Sequence, residues 1–553
     1  MNNEKKQIIL NWLKQQEETD SLTQEQRDIF ALIRESLHTK KYGLVFEEKE
    51  EDIVNEANNS ILTLKQKDLI IANNNAKELN YLLEGDNYQA LKLLQKTHKN
   101  RIDVIYIDPP YNTGNKDFIY NDTYVDSEDG FRHSKWLSFM KKRLEQSKTL
   151  LKNDGIIYIS IKYTEHSQLK LLCDEIFGEK NLIADIVWTN NEGGGSSDSK
   201  FFKTKHEYIL CYSKDIDNLR EIIGIDIEDH ERYKLSDEFE KERGKYQLVK
   251  LSTASLTYTK SLDYPIECPD GTFVMPVDNT NKNRARWRWS KQKLEWGKEN
   301  GFVEFKKDKK NIWQVYTKQY LYSDANGNSI SKRTKKPYSI IDKYSSTQGT
   351  NQLFSIIGES YFSYPKPLGL IEFLLERFAY NNSIILDFFA GSGTTGHAVA
   401  KLNAEDGGNR TYILCTNNEN NICENVTFKR LSNIQEELPH SLIYQQIEAI
   451  NKDEFIVSNY SQKYLDQLEE SSKQLAQLEL GKLIDNKEIF FITSQDELEN
   501  ANEDDLLNAT VIFMNENKVD PYRSKVYDHI KNKIIIIPDN YYEKELKETD
   551  YLW

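Results

Sequence analysis

Val104-Ile105-Tyr106-Ile107 is an unbroken apolar run, largely β-branched, and it stops at Asp108-Pro109-Pro110-Tyr111. Such a run suits a strand covered on both faces, as strands of a parallel sheet are. The two prolines end it, because neither carries the N–H that a sheet ladder needs. The same signature returns at Gly155–Ile161, Ile183–Thr189, Tyr208–Tyr212, Ser383–Asp387 and Tyr412–Thr416. Between these runs the apolar spacing changes to that of helices, near Tyr88–Leu94, Trp136–Leu151, Leu169–Phe177, Leu368–Phe378 and Thr395–Leu402. Strands alternating with helices predict an α/β fold with a mostly parallel sheet.

The rhythm breaks once. From about 216 to 350 the chain is irregular, basic and rich in tryptophan, and the α/β pattern resumes after it. Two α/β halves, 66–215 and 351–445, therefore flank an insert. Residues 1–65 read as helical, with the acidic run Glu47–Asp52 as a solvated helix face. Residues 446–553 read as a small separate α/β unit, with a helix at Tyr464–Leu480 and strands at Ile489–Thr493, Ala509–Met514 and Lys533–Pro538.

The 553 residues carry a formal charge of −15, which by itself argues against a nucleic-acid partner. The distribution reverses that reading. Lys282 to Lys336 holds 16 Lys or Arg against 5 Asp or Glu, and the clusters Arg284-Ala-Arg286-Trp-Arg288, Lys306-Lys307 and Lys332-Arg333 suit a phosphate backbone. Five cysteines with no CxxC pair predict neither a zinc site nor a disulfide framework, and a reducing cytoplasm fits them. The apolar stretch Gln7–Leu13 is too short for a signal peptide. No window approaches the ~18 consecutive apolar residues of a membrane span, so no membrane partner is expected.

Open parallel sheets bind ligands at the carboxyl ends of their strands, and that is where Asp108-Pro109-Pro110-Tyr111 falls. An exocyclic aromatic amine is a weak nucleophile, because its lone pair is delocalised into the ring. Two fixed acceptors, the Asp108 carboxylate and the Pro109 carbonyl, can orient that lone pair towards an electrophile. Pro109 and Pro110 stiffen the loop, and Tyr111 offers a face on which an extruded base can stack. A second motif, Asp387-Phe388-Phe389-Ala390-Gly391-Ser392-Gly393-Thr394-Thr395-Gly396, joins a strand to a helix. Its glycines permit a tight turn against a bound nucleotide. The spacing Gly391, Gly393, Gly396 also fits an NAD enzyme, so an NAD-linked oxidoreductase stays an alternative at this point. Glu419 is the candidate acid for ribose hydroxyls, with Asn417 and Asn418 as neighbouring options. Asp86, in Gly85-Asp86-Asn87, suits either an adenine amino group or a helix N-cap.

Taken together these residues resemble the amino-group DNA methyltransferases of the β arrangement, in which the DPPY motif precedes the target-recognition region and the FxGxG loop follows it. The resemblance extends to the modification (Mod) subunits of type III restriction–modification systems. It is carried by Lys41–Leu44, Leu83–Asn87, Asp108–Asn115, Trp136–Met140, Asp174–Gly178, His206–Leu210 and Lys366-Pro367. Ser160-Ile161-Lys162 departs from the family in lacking an acidic pair.

The resemblance implies a Rossmann-like methyltransferase fold with permuted motif order, the insert at 216–350 serving target recognition. It implies S-adenosylmethionine as cofactor, no metal, and the N6 amine of adenine in double-stranded DNA as target, with cytosine N4 as the alternative. Asp108, Pro109, Pro110 and Tyr111 would be catalytic. Asp86, Asp387, Phe389, Gly391, Gly393 and Glu419 would bind or shape the cofactor site, with Lys366 near its methionine end. Arg284, Arg286, Arg288, Lys306, Lys307, Lys332 and Arg333 would contact DNA. A homodimer and a separate helicase–nuclease (Res) partner are also implied. No G-x-x-x-x-G-K-[ST] occurs in the chain.

Overall fold

The computed structural model describes residues 44–551 apart from 73–77, 115–116, 121–122, 191–201, 203, 227–231, 255–256, 278–284, 332, 359–361 and 363, together with a few positions before 44. It divides into two compact units, residues 222–338 and the remainder of the chain.

The larger unit is built on a ten-stranded sheet: β1 Ser60–Ile70, β2 Asn80–Glu84, β3 Ile102–Ile107, β4 Leu151–Ile161, β5 Leu182–Thr189, β6 His206–Ser213, β7 Ile340–Ile341, β8 Ile384–Asp387, β9 Thr411–Thr416 and β10 Leu442–Asn451. Its spatial order is β1-β10-β2-β9-β8-β3-β4-β6-β5-β7. The central strands from β10 through β4 are parallel, whereas β1, and β6 against both its neighbours, run antiparallel. The decisive pairing is β8 beside β3, with Ile385 opposite Val104 and Leu386 opposite Ile105. It joins the two α/β halves in one sheet and sets the Asp108 and Asp387 ends on neighbouring strands.

The helices that matter for the site are α1 Asp52–Asn58, α2 Asn87–Thr97, α3 Arg132–Leu150, α4 Leu368–Leu375, α5 Thr394–Asp406 and α6 Gln462–Leu480. Leu91, Leu94, Trp136, Met140 and Leu144 bury the inward faces of α2 and α3 against Ile105 and Ile107 in one continuous core. Each buried aliphatic side chain of this kind contributes about 1.5–3 kcal/mol.

Three boundaries differ from the sequence expectation. Residues 60–70 form the edge strand β1 rather than part of a helical region, because Ile61, Leu62 and Leu64 are buried by pairing with β10; most residues before 44 lie outside the described set. The acidic run 47–52 is not a solvated helix face. Glu51 is buried against Arg143, at 2.9 Å from its Nη1. The C-terminal segment is not separate either. Its three parallel strands, β11 Ile489–Ile492, β12 Val511–Met514 and β13 Ile534–Ile536, share the main core through Leu475, Phe513 and Tyr542, and Ser471 on α6 accepts a hydrogen bond from Leu64 N of β1 at 2.7 Å.

The smaller unit is shorter than the expected 216–350. At one end Ile216 N donates to Asn181, and at the other β7 pairs with β5, so both flanks belong to the main sheet. Within residues 222–338 an antiparallel sheet of 303–307, 313–320 and 246–250 packs with the helix Lys291–Glu299. Trp287, Leu294 and Val315 are buried beneath it. Among the described residues no helix is long and apolar enough to cross a membrane, and no group of His, Cys, Asp and Glu could hold a metal ion.

Candidate active site

Asp108 follows the last residue of β3, and its loop is held at every step. Pro110 O accepts from the buried Trp136 indole at 2.7 Å, and Tyr111 O accepts from Thr164 Oγ1 at 2.7 Å. Asn112 adopts φ +53°, a left-handed conformation that asparagine tolerates better than most residues. Its amide donates to Glu165 at 2.6 Å, and Glu165 also meets His133 Nδ1 at 2.6 Å. Burial pushes the Glu165 carboxyl up, against the pull of Asn112 and His133.

Both oxygens of Asp108 are engaged. Oδ1 accepts from the Tyr111 hydroxyl at 2.8 Å, and Oδ2 accepts from Lys366 Nζ at 2.7 Å. Lys366 Nζ also donates to the Tyr111 hydroxyl at 2.8 Å and stands 3.6 Å from Glu207 Oε2. The Tyr111 hydroxyl lies 3.0 Å from that same Glu207 oxygen. Burial opposes the Lys366 charge, but Asp108 and Glu207 outweigh it and raise its pKa. Burial, with the charges of Asp108 and Glu207, keeps the Tyr111 phenol protonated. Lys366 was expected near one end of the cofactor. The structure places its ammonium between two carboxylates, on Asp108 and close to Glu207.

The glycine turn lies at the end of the neighbouring strand β8. Gly391 and Gly393 have φ +48° and +73°, where a side chain is strained. The turn is tied down by Thr427 Oγ1, which donates to Gly391 O at 2.5 Å, and by Arg430, which donates to Ser392 O and to Thr394 Oγ1. Asp387 faces into the turn. It accepts from Phe389 N at 3.0 Å and Thr395 Oγ1 at 2.5 Å. Burial pushes its carboxyl up to about 7, despite those two hydrogen bonds.

The folded state therefore keeps a proton that the unfolded chain loses near pH 4, and stability contributed by this group falls as pH rises from about 4 to about 7. Asp387→Asn cannot ionise. The melting temperature of the wild type minus that of the variant is expected to decline across this interval and to level off above it. A difference that is flat with pH would show that Asp387 is ionised throughout.

A cavity of about 460 Å³ opens at the ends of β2, β3, β8 and β9. Asp86, Phe389 and Glu419 line it, with Pro110 at its border towards Asp108. Asn417 lines it as well, while Asn418 does not, its side chain accepting from Glu424 N. Asp387, Gly391, Gly393 and Lys366 are not in its lining. Asp387 reaches it through Phe389, from whose N it accepts, and Gly391 and Gly393 lie in the turn that follows Phe389. Asp86 caps α2 through Tyr88 N at 2.7 Å, and capping leaves it on the border of the cavity.

Glu51, Phe139 and Arg143 line the cavity too and were not picked out from the sequence. Arg143 is buried, lies 3.7 Å over the Phe139 ring and bridges Glu51 to Asp86. Glu207 also went unassigned, although it sits in the His206–Leu210 stretch that the family resemblance had marked.

In the smaller unit, Arg284 and Lys332 lie outside the described residues. Arg288, Lys306 and Lys307 are exposed, with Lys306 at 2.8 Å from Glu304 and Lys307 at 3.5 Å from Asp270. Arg286 is half-buried and donates to Thr259. Arg333 departs from the expectation. Its guanidinium donates to the carbonyls of Tyr320 and Ser323, which close the end of this unit's own sheet.

Comparison with known proteins gives a consistent picture. Residues 102–467 match the family model described as DNA methylase. The chain is 35% identical over 390 residues to the EcoPI Mod subunit of a type III restriction–modification enzyme from Escherichia phage P1, covering 62% of this chain and 58% of that one. It is 31% identical over 363 residues to the StyLTI Mod subunit from Salmonella typhimurium, covering 62% and 53%. It is 36% identical over 370 residues to the type II methyltransferase M.KpnI of Klebsiella pneumoniae, covering 63% and 84%. The alignments thus span little more than half the length of the two Mod subunits.

Proposed function

Because this chain belongs to the DNA methylase family, we propose that it methylates the N6 amine of an adenine in duplex DNA, with S-adenosylmethionine as donor, as the modification subunit of a type III restriction–modification system. The observation that carries this reading is the Asp108 loop, rigidly anchored beside a cavity suited to that cofactor.

The lining of the cavity tests the cofactor. Among the described residues, Glu51, Asp52, Glu56, Asp86, Asp117 and Glu419 face it, with Arg143 as the one cation. An acidic lining suits a sulfonium cation with a purine and a ribose, and it opposes the pyrophosphate of NAD. Phe389 and Phe139 supply apolar faces, Asp86 an acceptor for an adenine amino group, and Glu419 or Asn417 a partner for the ribose. S-adenosylmethionine, when bound, supplies an electrophilic methyl group.

The chain's own residues do the rest. Asp108 and the Pro109 carbonyl would accept hydrogen bonds from the two N–H groups of the target amine, drawing its lone pair out of conjugation with the ring and towards the cavity. Trp136 and Thr164, by holding Pro110 and Tyr111, keep these acceptors from relaxing away. Tyr111, its hydroxyl held by Asp108, Lys366 and Glu207, would present its ring to a base that has left the helix.

Arg288, Lys306 and Lys307 would contact phosphate. The ion pairs of the two lysines are on the surface and therefore weak, so they exchange readily. Replacing all three by Gln is expected to weaken DNA binding and to reduce the slope of log K against log salt by about 0.9 for each phosphate that is no longer neutralised. An unchanged slope would remove them from the interface. A homodimer working with a Res partner rests on the family resemblance alone, and sedimentation of the full chain tests the first of these.

The direct test is transfer of labelled methyl from S-adenosylmethionine to mixed-sequence duplex DNA, followed by nucleoside mass spectrometry. N6-methyladenine is expected. N4-methylcytosine would keep the chemistry and correct the base, and absence of cofactor binding would sink the proposal.

A further inference from the structure

Three groups compete for one buried ammonium. Lys366 Nζ stands 2.7 Å from Asp108 Oδ2, 2.8 Å from the Tyr111 hydroxyl and 3.6 Å from Glu207 Oε2. The Lys366 and Glu207 side chains are only 9% and 10% exposed, so this ammonium has little access to water. A target amine must hydrogen-bond to Asp108, yet Oδ2 already accepts from a cation and Oδ1 from a phenol. An acceptor that faces an ammonium at 2.7 Å has its electron density drawn away from any further donor, and the ammonium occupies space the amine needs. A buried cation cannot simply withdraw, since its desolvation is costly unless another anion takes it up.

We propose that Glu207 is that anion: a positioning residue that receives Lys366 when the target base enters, and so releases Asp108 Oδ2 to the amine. The inference rests on the methyl-transfer reading above. Glu207 already stands within an ångström or so of ion-pair contact, so a small swing of the lysine side chain completes the exchange. Glu207 is itself fixed, its Oε1 accepting from Asn190 Nδ2 at 2.9 Å and its backbone lying in β6, between β4 and β5.

The single proton of the Tyr111 hydroxyl fits the exchange. It can point to Asp108 Oδ1 at 2.8 Å or to Glu207 Oε2 at 3.0 Å. Once Lys366 sits on Glu207, the hydroxyl donates to Asp108 while its proton remains on Tyr111, and Asp108 keeps its negative charge for the amine. Hydrogen bonds are redistributed and no covalent bond changes.

The test measures single-turnover methyl transfer to duplex DNA and affinity for S-adenosylmethionine in the full-length wild type, Glu207→Gln, Glu207→Asp and the double variant Glu207→Gln with Lys366→Gln. Glu207→Gln leaves Lys366 on Asp108, and the transfer rate is expected to fall on the order of a hundredfold with cofactor affinity unchanged. Glu207→Asp keeps the charge and loses much less. The double variant removes the competitor and is expected to be faster than Glu207→Gln alone, which a merely structural glutamate would not produce. An equilibrium readout accompanies these. At the adenine that the wild type itself is found to methylate, the wild type should bind a duplex with adenine more tightly than one with purine, which lacks the amine, and Glu207→Gln should lose that preference.

Wild-type rates in Glu207→Gln, loss of its cofactor affinity, or a double variant slower than the single one would each overturn the inference while leaving methyl transfer intact. A wild type that methylates no duplex would overturn the underlying reading, and the inference with it, before any variant is made.

Discussion

Asp108→Ala is expected to lower the single-turnover rate of methyl transfer by on the order of a thousandfold while leaving affinity for S-adenosylmethionine within a few-fold. Asp108 holds no place in the cavity lining, which reaches the loop only at Pro110. Its oxygens instead meet Tyr111 and Lys366. Removing them deletes an acceptor for the target amine and little else. The fold should survive, because Lys366 keeps Glu207 as a counter-charge and the loop keeps its bonds from Trp136 and Thr164. Calorimetric titration of the cofactor beside rapid-quench transfer separates the two quantities. Equal loss of both would mean that Asp108 builds the cofactor site rather than holding the base.

Gly393→Val should do the reverse, weakening cofactor binding on the order of a hundredfold. At φ +73° a β-branched residue incurs roughly 1–3 kcal/mol of backbone strain. Its Cβ would also come within 3.1 Å of Thr427 Cγ2, crowding the residue that anchors Gly391. A shift of this turn carries Phe389 with it. At about 1.4 kcal/mol per tenfold, strain and crowding together reach the stated size. Cofactor titration of the folded variant checks it. Affinity within twofold of wild type would show that the turn does not control the cavity.

The two predictions separate because the two motifs do different work on adjacent strands, and their legibility in the sequence differed accordingly. Asp108-Pro109-Pro110-Tyr111 and Asp387–Gly396 stood out because backbone geometry writes itself into residue type: prolines where a strand must stop, glycines where φ is positive. The strands β3, β4, β8 and β9 were legible for the same reason, as burial on both faces demands continuous apolar runs. The edge strand β1 was not. Four of its eleven residues, Lys65-Gln66-Lys67-Asp68, are exposed and polar, which breaks the apolar signal, and what makes it a strand is β10, which lies far along the chain.

The charged residues around the site show the same division. From sequence the run 47–52 is five acids around Lys49, with nothing to choose among the acids. Glu51 is singled out by Arg143 and Lys142, about 90 positions away, since a buried carboxylate is tolerable when a counter-charge is built beside it. Arg333 looked like its neighbours in a basic cluster and turned out to hold its own unit's backbone. Lys366 and Glu207, from segments far apart on either side of the insert, meet at Asp108.

The sequence by itself determined the local chemistry, namely which strands are buried, where they stop, which turns need glycine and which loop can present two acceptors, because these depend on neighbours within a few residues. The tertiary structure alone decided that β8 lies beside β3, that the C-terminal segment shares the main core, and which charges are paired, because burial and ion pairing depend on groups that the chain brings together only by folding.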